Sequence, residues 1–327
     1  MKHHFADFLD REGDYWTVVP NRERFIDEFE CTDEGDPTIQ VALIGKDSKD
    51  WEKCLTLPNL EEITLHEANS DQFEAVSNFT QITRLRVTHF RPKHIEGLAK
   101  LTNLEELVLE YVSGFSDLSL LSGLSKLRSL HLENLRRVSD FSGLMGSASL
   151  RYLSIFGTLD WNQPIDNFEF LRGLQNLEHL GLSFVTSACK YPAFLPAIAL
   201  KRLKRIKLAP HYFSAQEYAL LSAILEGVSG AGWGAYRRIA HKSMGLPIND
   251  PRRLLTDLEI KEKHPEVFIN MDGRRIADPD SEWFEFTGKR AGRVKCTHPK
   301  ASEKCAQVAQ QFEAMKTEAR ALITRFT

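Results

Sequence analysis

The chain has 327 residues, of which 27% are charged and 42% apolar, with a net charge of −3. That balance is ordinary for a soluble globular protein. No apolar run approaches the ~18 residues of a membrane-spanning helix, so no membrane partner is expected. Charge is unevenly spread: −7 over residues 1–56, −4 over 57–199 and +8 over 200–327. Ends of opposite sign set up a field able to orient a charged partner.

In chain order, the first twenty residues hold scattered acids and no apolar h-region. No signal peptide is read there, and cytoplasmic location is the default expectation. The five cysteines, Cys31, Cys54, Cys189, Cys296 and Cys305, are odd in number, scattered and without a CxxC pair. Reduced thiols are the expectation. "NRERFIDEFE" predicts a short helix with Phe25, Ile26 and Phe29 on one face. "PTIQVALIG" predicts a strand in which Ile39, Val41 and Leu43 alternate. Residues 1–56 thus read as an N-terminal cap.

A repeat follows. "LPNLEEITL" at 57 recurs as "FTQITRLRV" at 79, "LTNLEELVL" at 101, "LSKLRSLHL" at 124, "SASLRYLSI" at 147, "LQNLEHLGL" at 174 and "LKRLKRIKL" at 200. The anchors Leu60, Ile82, Leu104, Leu127, Leu150, Leu177 and Leu203 are spaced by 22, 22, 23, 23, 27 and 26 residues. Within each copy the apolar spacing changes from three to two, so a helical turn hands the chain to a strand. In the third copy Leu107 and Leu109 point inward while Glu106, Val108 and Glu110 face outward. Upstream steps of three, as in Leu118, Leu121 and Leu124, keep one side of a 3₁₀ or short α turn inward.

These LxxLxL units resemble the leucine-rich repeat family, in short 22–27-residue repeats most like the bacterial or phosphatase-regulator type. The resemblance implies an α/β solenoid over residues 57–210. A curved parallel sheet would line its concave face and short helical or 3₁₀ turns its convex face. One family feature is missing. The positions three beyond the last strand leucine, which often carry Asn or Cys, hold Ala68, Phe90, Val112, Leu135, Thr158 and Val185. The turn backbone must therefore be satisfied another way. The insert "FGTLDWNQPIDN" widens the fifth spacing and predicts a bulge on the rim that contains Trp161.

Residues 211–327 leave the repeat and read as an α+β cap or accessory domain. "SAQEYALLSAILEG" begins on Ser214 with Glu217 three later, a capping box, and ends at Gly227. Its stripe of Tyr218, Leu221 and Leu225 is expected to cover the last repeat. "GVSGAGWGAY" reads as a linker; it lacks the ending of a P-loop. "EVFINMDGRRIAD" reads as strand, turn, strand, and "SEWFEFTGKRAGRVKC" as a further strand or hairpin. From Ser302, the steps Val308, Phe312, Met315, Ala319, Leu322 and Phe326 define a long amphipathic helix, about 35 Å at ~1.5 Å per residue.

No GxSxG, HExxH, GxGxxG or P-loop motif occurs, and no catalytic residue or cofactor is assigned. Cys296, His298 and Cys305 are too few and too loosely spaced for a closed zinc site, and no metal is expected. Glu262, His264, Glu266 and Asp272 have no supporting pattern for acid–base work. The cations Lys289, Arg290, Arg293, Lys295, Lys300 and Lys304 beside Trp283, Phe284 and Phe286 raise a nucleic-acid reading of segment 289–304. A solvated strand edge explains them more simply.

Stacked parallel strands turn the outward positions into three columns with neighbours ~4.8 Å apart. The first reads Glu62, Arg84, Glu106, Ser129, Tyr152, His179, Arg205. The second reads Thr64, Arg86, Val108, His131, Ser154, Gly181, Lys207, and the third His66, Thr88, Glu110, Glu133, Phe156, Ser183, Ala209. An aromatic centre of Tyr152 and Phe156, joined one step along by Tyr111 and Phe184, sits within a charged surround, the layout of a protein interface. The candidate partner-binding residues are Glu62, Arg84, Arg86, Glu106, Glu110, Tyr111, His131, Glu133, Tyr152, Phe156, His179, Phe184, Arg205 and Lys207. The resemblance implies a non-enzymatic protein that binds a protein partner on its concave face, in a toxin-neutralising (immunity) or regulatory setting. The alternatives are a secreted effector, or an enzyme or nucleic-acid module in the C-terminal region.

Overall fold

The computed structural model describes Phe25–Ile26 and residues 35–239, 250–265 and 282–326. The chain divides into two compact units, Met1–Ala209 with Ile224–Ala231, and Pro210–Ala223 with Gly232–Thr327.

The first unit is built on one nine-stranded sheet. Its strands are β1 (Phe25–Ile26), β2 (Val41–Gly45), β3 (Glu62–His66), β4 (Arg84–Thr88), β5 (Glu106–Glu110), β6 (Ser129–Glu133), β7 (Tyr152–Phe156), β9 (His179–Ser183) and β11 (Arg205–Leu208). Consecutive strands pair in parallel and in strict register, Glu62 to Arg84 to Glu106 to Ser129 to Tyr152 to His179 to Arg205. That register is the first column read from the sequence. A parallel bridge from Arg205 to Ser229 continues the last edge.

Between strands the chain returns through 3₁₀ turns at Trp51–Thr56, Glu96–Lys100, Ser119–Gly123, Ser142–Leu144, Glu169–Gly173 and Leu195–Ala199. The first full repeat instead uses an α-helix, α1 (Ser70–Asn78). Asn69 caps it, accepting from the Gln72 N–H while the Gln72 side chain accepts from the Asn69 N–H. The anchors and strand leucines are almost wholly buried, and they form one core from Leu60 to Leu203. No single repeat could bury that face alone.

Tight stacking of the returns makes Gly173 obligatory. A Cβ on Gly173 would overlap the Met145 carbonyl, whereas Gly123, at the equivalent place two repeats earlier, faces open space. Gly173→Ala is expected to cost about 1–3 kcal/mol, the cost of overpacking, and Gly123→Ala almost nothing. Parallel urea unfolding curves check this, and equal midpoints for the two variants would contradict it.

The N-terminal cap differs from expectation in two ways. Phe25–Ile26 is a strand, not helix, because its backbone groups pair in parallel with Val41 and Ala42 on the sheet edge; the rest of the expected helix lies outside the described residues. In β2 the inward side chains are Ala42 and Ile44, paired with Ile63 and Leu65, so Val41 and Leu43 join the outward columns. A shift of one residue exchanges the two faces of a strand, and the apolar run VALI supports either phase.

The missing asparagine ladder is replaced by two devices. At the exits of β3 to β6 a backbone N–H reaches the last carbonyl of the next strand: Glu67 to Thr88, His89 to Glu110, Tyr111 to Glu133 and Asn134 to Phe156, at 2.9–3.0 Å. Inside the turns, the buried Gln163 amide accepts from the Leu135 N–H at 3.0 Å and donates to the Val138 carbonyl at 2.6 Å. Gln163 comes from the insert, where β8 (Gln163–Pro164) pairs in parallel with β10 (Val185–Thr186). The expected bulge is therefore a small second sheet on the rim.

α2 (Ala215–Ile224), all but its last residue in the second unit, starts after Ser214, whose Oγ accepts from the Glu217 N–H, and the chain turns with φ +83° at Gly227, a residue of the first unit. β12 (Tyr236–Ile239), unforeseen from the sequence, pairs antiparallel with β13 (Trp283–Phe286), which pairs antiparallel with β14 (Arg293–Lys295). A short helix, α3 (Asp257–Lys263), is capped by Thr256. The final helix, α4 (Ala301–Ile323), buries Ala301, Cys305, Phe312 and Ala319, and Ala301 and Cys305 pack with Val294, Phe284 and Phe286 of the small sheet. Phe326 lies past the helix and is exposed. The expected strand–turn–strand of 266–278 lies outside the described residues.

Candidate functional site

The three outward columns form the face of the first unit's sheet. Their upstream half is a network of ion pairs among strands β3 to β6. Arg84 reaches Glu62 at 3.6 Å on one side and Glu106 at 3.3 Å on the other. Arg86 donates through Nε and Nη2 to Glu110 Oε2 at 3.0 and 2.7 Å. The other end of that chain is His131, whose Nε2 lies 3.4 Å from Glu133 and 4.0 Å from Glu110. Arg86 is only 1% exposed and Glu110 7%. Burial draws the Arg86 guanidinium below its ordinary pKa, with Glu110 opposing that shift. Glu62, Glu106 and Val108 are buried as well, so these side chains mainly face one another.

Glu105, at the strand entrance, pairs with Arg128 outside this network, and Glu178 pairs with Arg151 and Lys204. Such rim pairs are each worth little to stability.

The downstream half differs in character. Tyr152 is 8% exposed and packed into the face. Phe156 is partly exposed, with the His131 ring edge-on at 5.1 Å and the Lys207 ammonium 5.6 Å from its centroid. Beside it stand the small residues Ser154 and Gly181; a Cβ on Gly181 would come within 3.2 Å of the Phe156 ring. These small residues leave room for the Phe156 ring to lie against them. His179 and Arg205 are half-buried and Lys207 exposed on the same side.

The structure also assembles a site that the three columns do not contain. One position past β3, β4, β5, β6 and β9 the backbone is left-handed: φ is 50° at Glu67, 53° at His89, 54° at Tyr111, 53° at Asn134 and 48° at Phe184. Glycine or asparagine adopts this conformation most readily, yet Glu, His, Tyr and Phe occupy four of the five places. Glu67, His89, Tyr111 and Asn134, with Arg91, Ser113 and Arg136 two residues further along, line a cleft of about 410 Å³. His89 and Tyr111 stack at 4.7 Å with 6° between ring planes, and His66 meets His89 edge-on. Tyr111 is 40% exposed; partial burial and then Glu133 raise its phenol pKa. Of the cleft residues, only Tyr111 is among the sequence candidates. The others become visible once the column reading is extended one and three places past each strand.

Among the described residues, one group of three potential metal-ligating side chains lies close together: Glu110, His131 and Glu133, with ligand atoms within 4.8 Å of one another. Arg86 already holds one oxygen of Glu110, and the histidine bridges the two carboxylates. Cys296, His298 and Cys305 form no such group; the His298 ring nitrogen caps the Lys300 N–H instead. Cys54, Cys189, Cys296 and Cys305 are free thiols, and burial pushes Cys54 up to about 12, too high for a nucleophile or ligand at neutral pH. In the small sheet the cations are engaged: Arg293 and Lys295 lie over Trp283 at 4.6 and 5.5 Å, and Arg237 and Arg238 pair with Glu285 and Glu282.

An in-register parallel sheet with one strand per 22–27 residues, returning through 3₁₀ turns over a leucine core, defines a leucine-rich repeat solenoid. No protein-family model matches the chain, and no curated protein sequence matches it. Solved structures similar to it include an internalin (inlF) from Listeria monocytogenes, 16% identical, covering 53% of this chain and 49% of that one, with a TM-score of 0.41. Internalin C2 of the same organism is 22% identical over 52% of this chain and 71% of that one, with a TM-score of 0.40. A leucine-rich repeat protein of Leptospira interrogans is 14% identical over 68% and 66%, with a TM-score of 0.35. The chain spans about half the length of the first of these. Among the described residues no helix is long and apolar enough to cross a membrane.

Proposed function

We propose that this chain is a non-enzymatic binding protein that recognises a protein partner on the downstream half of its concave face. The observation that supports the reading is Phe156: a partly exposed aromatic on the sheet face, flanked by His131 and Lys207. Aromatic residues are enriched in interface cores, with charged groups at the polar rim. The upstream candidates, Glu62, Arg84, Arg86, Glu106, Glu110 and Glu133, hold that face rigid through their mutual pairing, which lowers the ordering cost of binding. The role we assign is regulatory or neutralising: the solenoid occludes a surface of its partner, as an immunity protein does with a toxin.

Lys207→Glu tests this without disturbing the core, because Lys207 is exposed. The partner is first identified by co-purification with the wild-type chain from native extract. Lys207→Glu is then expected to weaken binding of the purified partner about 30-fold, ~2 kcal/mol, with an unchanged Tm. Equal affinity for both chains would move the interface off this face. A nucleic-acid reading of segment 289–304 is less favoured, since Trp283, its leading stacking candidate, is already covered by Arg293 and Lys295.

A further inference from the structure

We propose that the cleft at the strand exits is an anchor for one carboxylate of the protein partner, presented by an acidic side chain whose neighbouring group packs on the His89–Tyr111 stack. The inference rests on the reading that the partner is a protein, and it assigns a second, separate contact point to that partner.

The repeat explains why a cleft forms here. Arg91, Ser113 and Arg136 occupy equivalent positions in three successive repeats, so the arginines stand two strand spacings apart, roughly 10 Å at ~4.8 Å per strand. The serine between them leaves a gap one repeat wide. In the neighbouring column the step from Tyr111 down to the buried Asn134 deepens it. Most arginines on this face and its entrance rim, including Arg84, Arg86, Arg128 and Arg151, are matched by a glutamate of an adjacent repeat. Arg91 and Arg136 have no carboxylate within ion-pair distance among the described residues. Arg136 donates to the Asn134 side chain at 3.4 Å and leans over Trp161 at 5.9 Å, which holds it in place while leaving its charge uncompensated.

Two observations select a carboxylate among anions. The lining carries two arginines against the single acid Glu67, a net +1 from these three groups, which matches a monoanion and falls short of a phosphate's ≈ −1.5 to −2. A phosphate cradle is built from successive free backbone amides, but of the seven lining residues Glu67, His89, Tyr111, Ser113 and Asn134 have their N–H groups spent on carbonyls, which leaves at most the isolated amides of Arg91 and Arg136. Glu67 stands one repeat before Arg91, so it repels an anion at one end and directs it toward Arg136. Side chains other than glycine are also kept at strained left-handed positions here, and such strain concentrates where side chains are used.

The probe is the blocked dipeptide N-acetyl-Tyr-Glu-amide, titrated into the full chain while the Trp161 indole N–H is followed by NMR and assigned with Trp161→Phe. A saturable shift is expected. The affinity should fall at least fivefold for N-acetyl-Tyr-Gln-amide and at least fivefold in Arg91→Gln and in Arg136→Gln. Arg137→Gln, which alters an exposed arginine outside the lining, should leave it unchanged. No shift at millimolar peptide, equal binding of the glutamine peptide, or indifference to both arginine substitutions would overturn the proposal. Inorganic phosphate binding as tightly as the glutamate peptide would overturn it too, in favour of a small-anion site. Lys207→Glu is expected to leave the peptide titration intact. Failure here therefore leaves the concave-face reading standing, and failure of that reading leaves this one measurable.

Discussion

Replacing Glu110 by alanine is expected to lower the unfolding free energy by about 3–5 kcal/mol, the cost of stranding a buried charge. Glu110 accepts two hydrogen bonds from Arg86, and Arg86 is 1% exposed. Without the carboxylate the guanidinium keeps its desolvation penalty and loses its closest counter-charge. The pair as a whole need not be stabilising. Replacing both members, Arg86→Met with Glu110→Leu, is expected to recover most of the loss, because well-packed apolar residues can replace a buried ion pair at little cost. Urea unfolding of the two single variants and the double variant checks both statements. A loss under about 1 kcal/mol for Glu110→Ala would put the pair in the solvated class and return Glu110 to the partner-contacting residues.

The second large effect concerns neighbours on opposite faces of β7. Leu153 is fully buried and paired in register with Leu130 and Leu180, so Leu153→Ala is expected to cost about 2–5 kcal/mol. Alternation alone suggests that Tyr152→Ala, facing outward, should leave stability almost unchanged. At 8% exposure it is instead expected to cost several kcal/mol, approaching the ~3–5 of a core aromatic. Thermal unfolding of both variants distinguishes the cases: a stable Tyr152→Ala with an unstable Leu153→Ala would mean an open upper face at β7. For this reason Lys207, and not Tyr152, is the variant with which to test binding.

Much of this architecture was legible in residue spacing. Seven anchors at intervals of 22–27 residues dictate stacked parallel strands, and a side-chain period of two then dictates which residues share a column. The observed register from Glu62 through Arg205 follows directly. The stripe from Val308 to Leu322 likewise predicted a long helix, and Phe312 and Ala319 on it are buried. Spacing failed where it was ambiguous. "VALI" supports either phase of a strand, and Phe25–Ile26 became a strand because a sheet edge was available to pair with it.

The candidate site was legible as a list of columns but not as a surface. Periodicity states which side a residue faces; it carries no information about what lies against it there. That Arg86 closes on Glu110, one strand over and two places along, depends on side-chain reach between repeats. The cleft needed more still. It arises because non-glycine residues hold φ near +50° at successive strand exits, which brings His89 onto Tyr111 and leaves Arg91 and Arg136 on either side of a serine. The repeat in the sequence determined the solenoid and its register, since those follow from local period alone. Only the tertiary structure decided which outward charges pair with each other and which remain for a partner, because that depends on distances across repeats that a linear pattern does not contain.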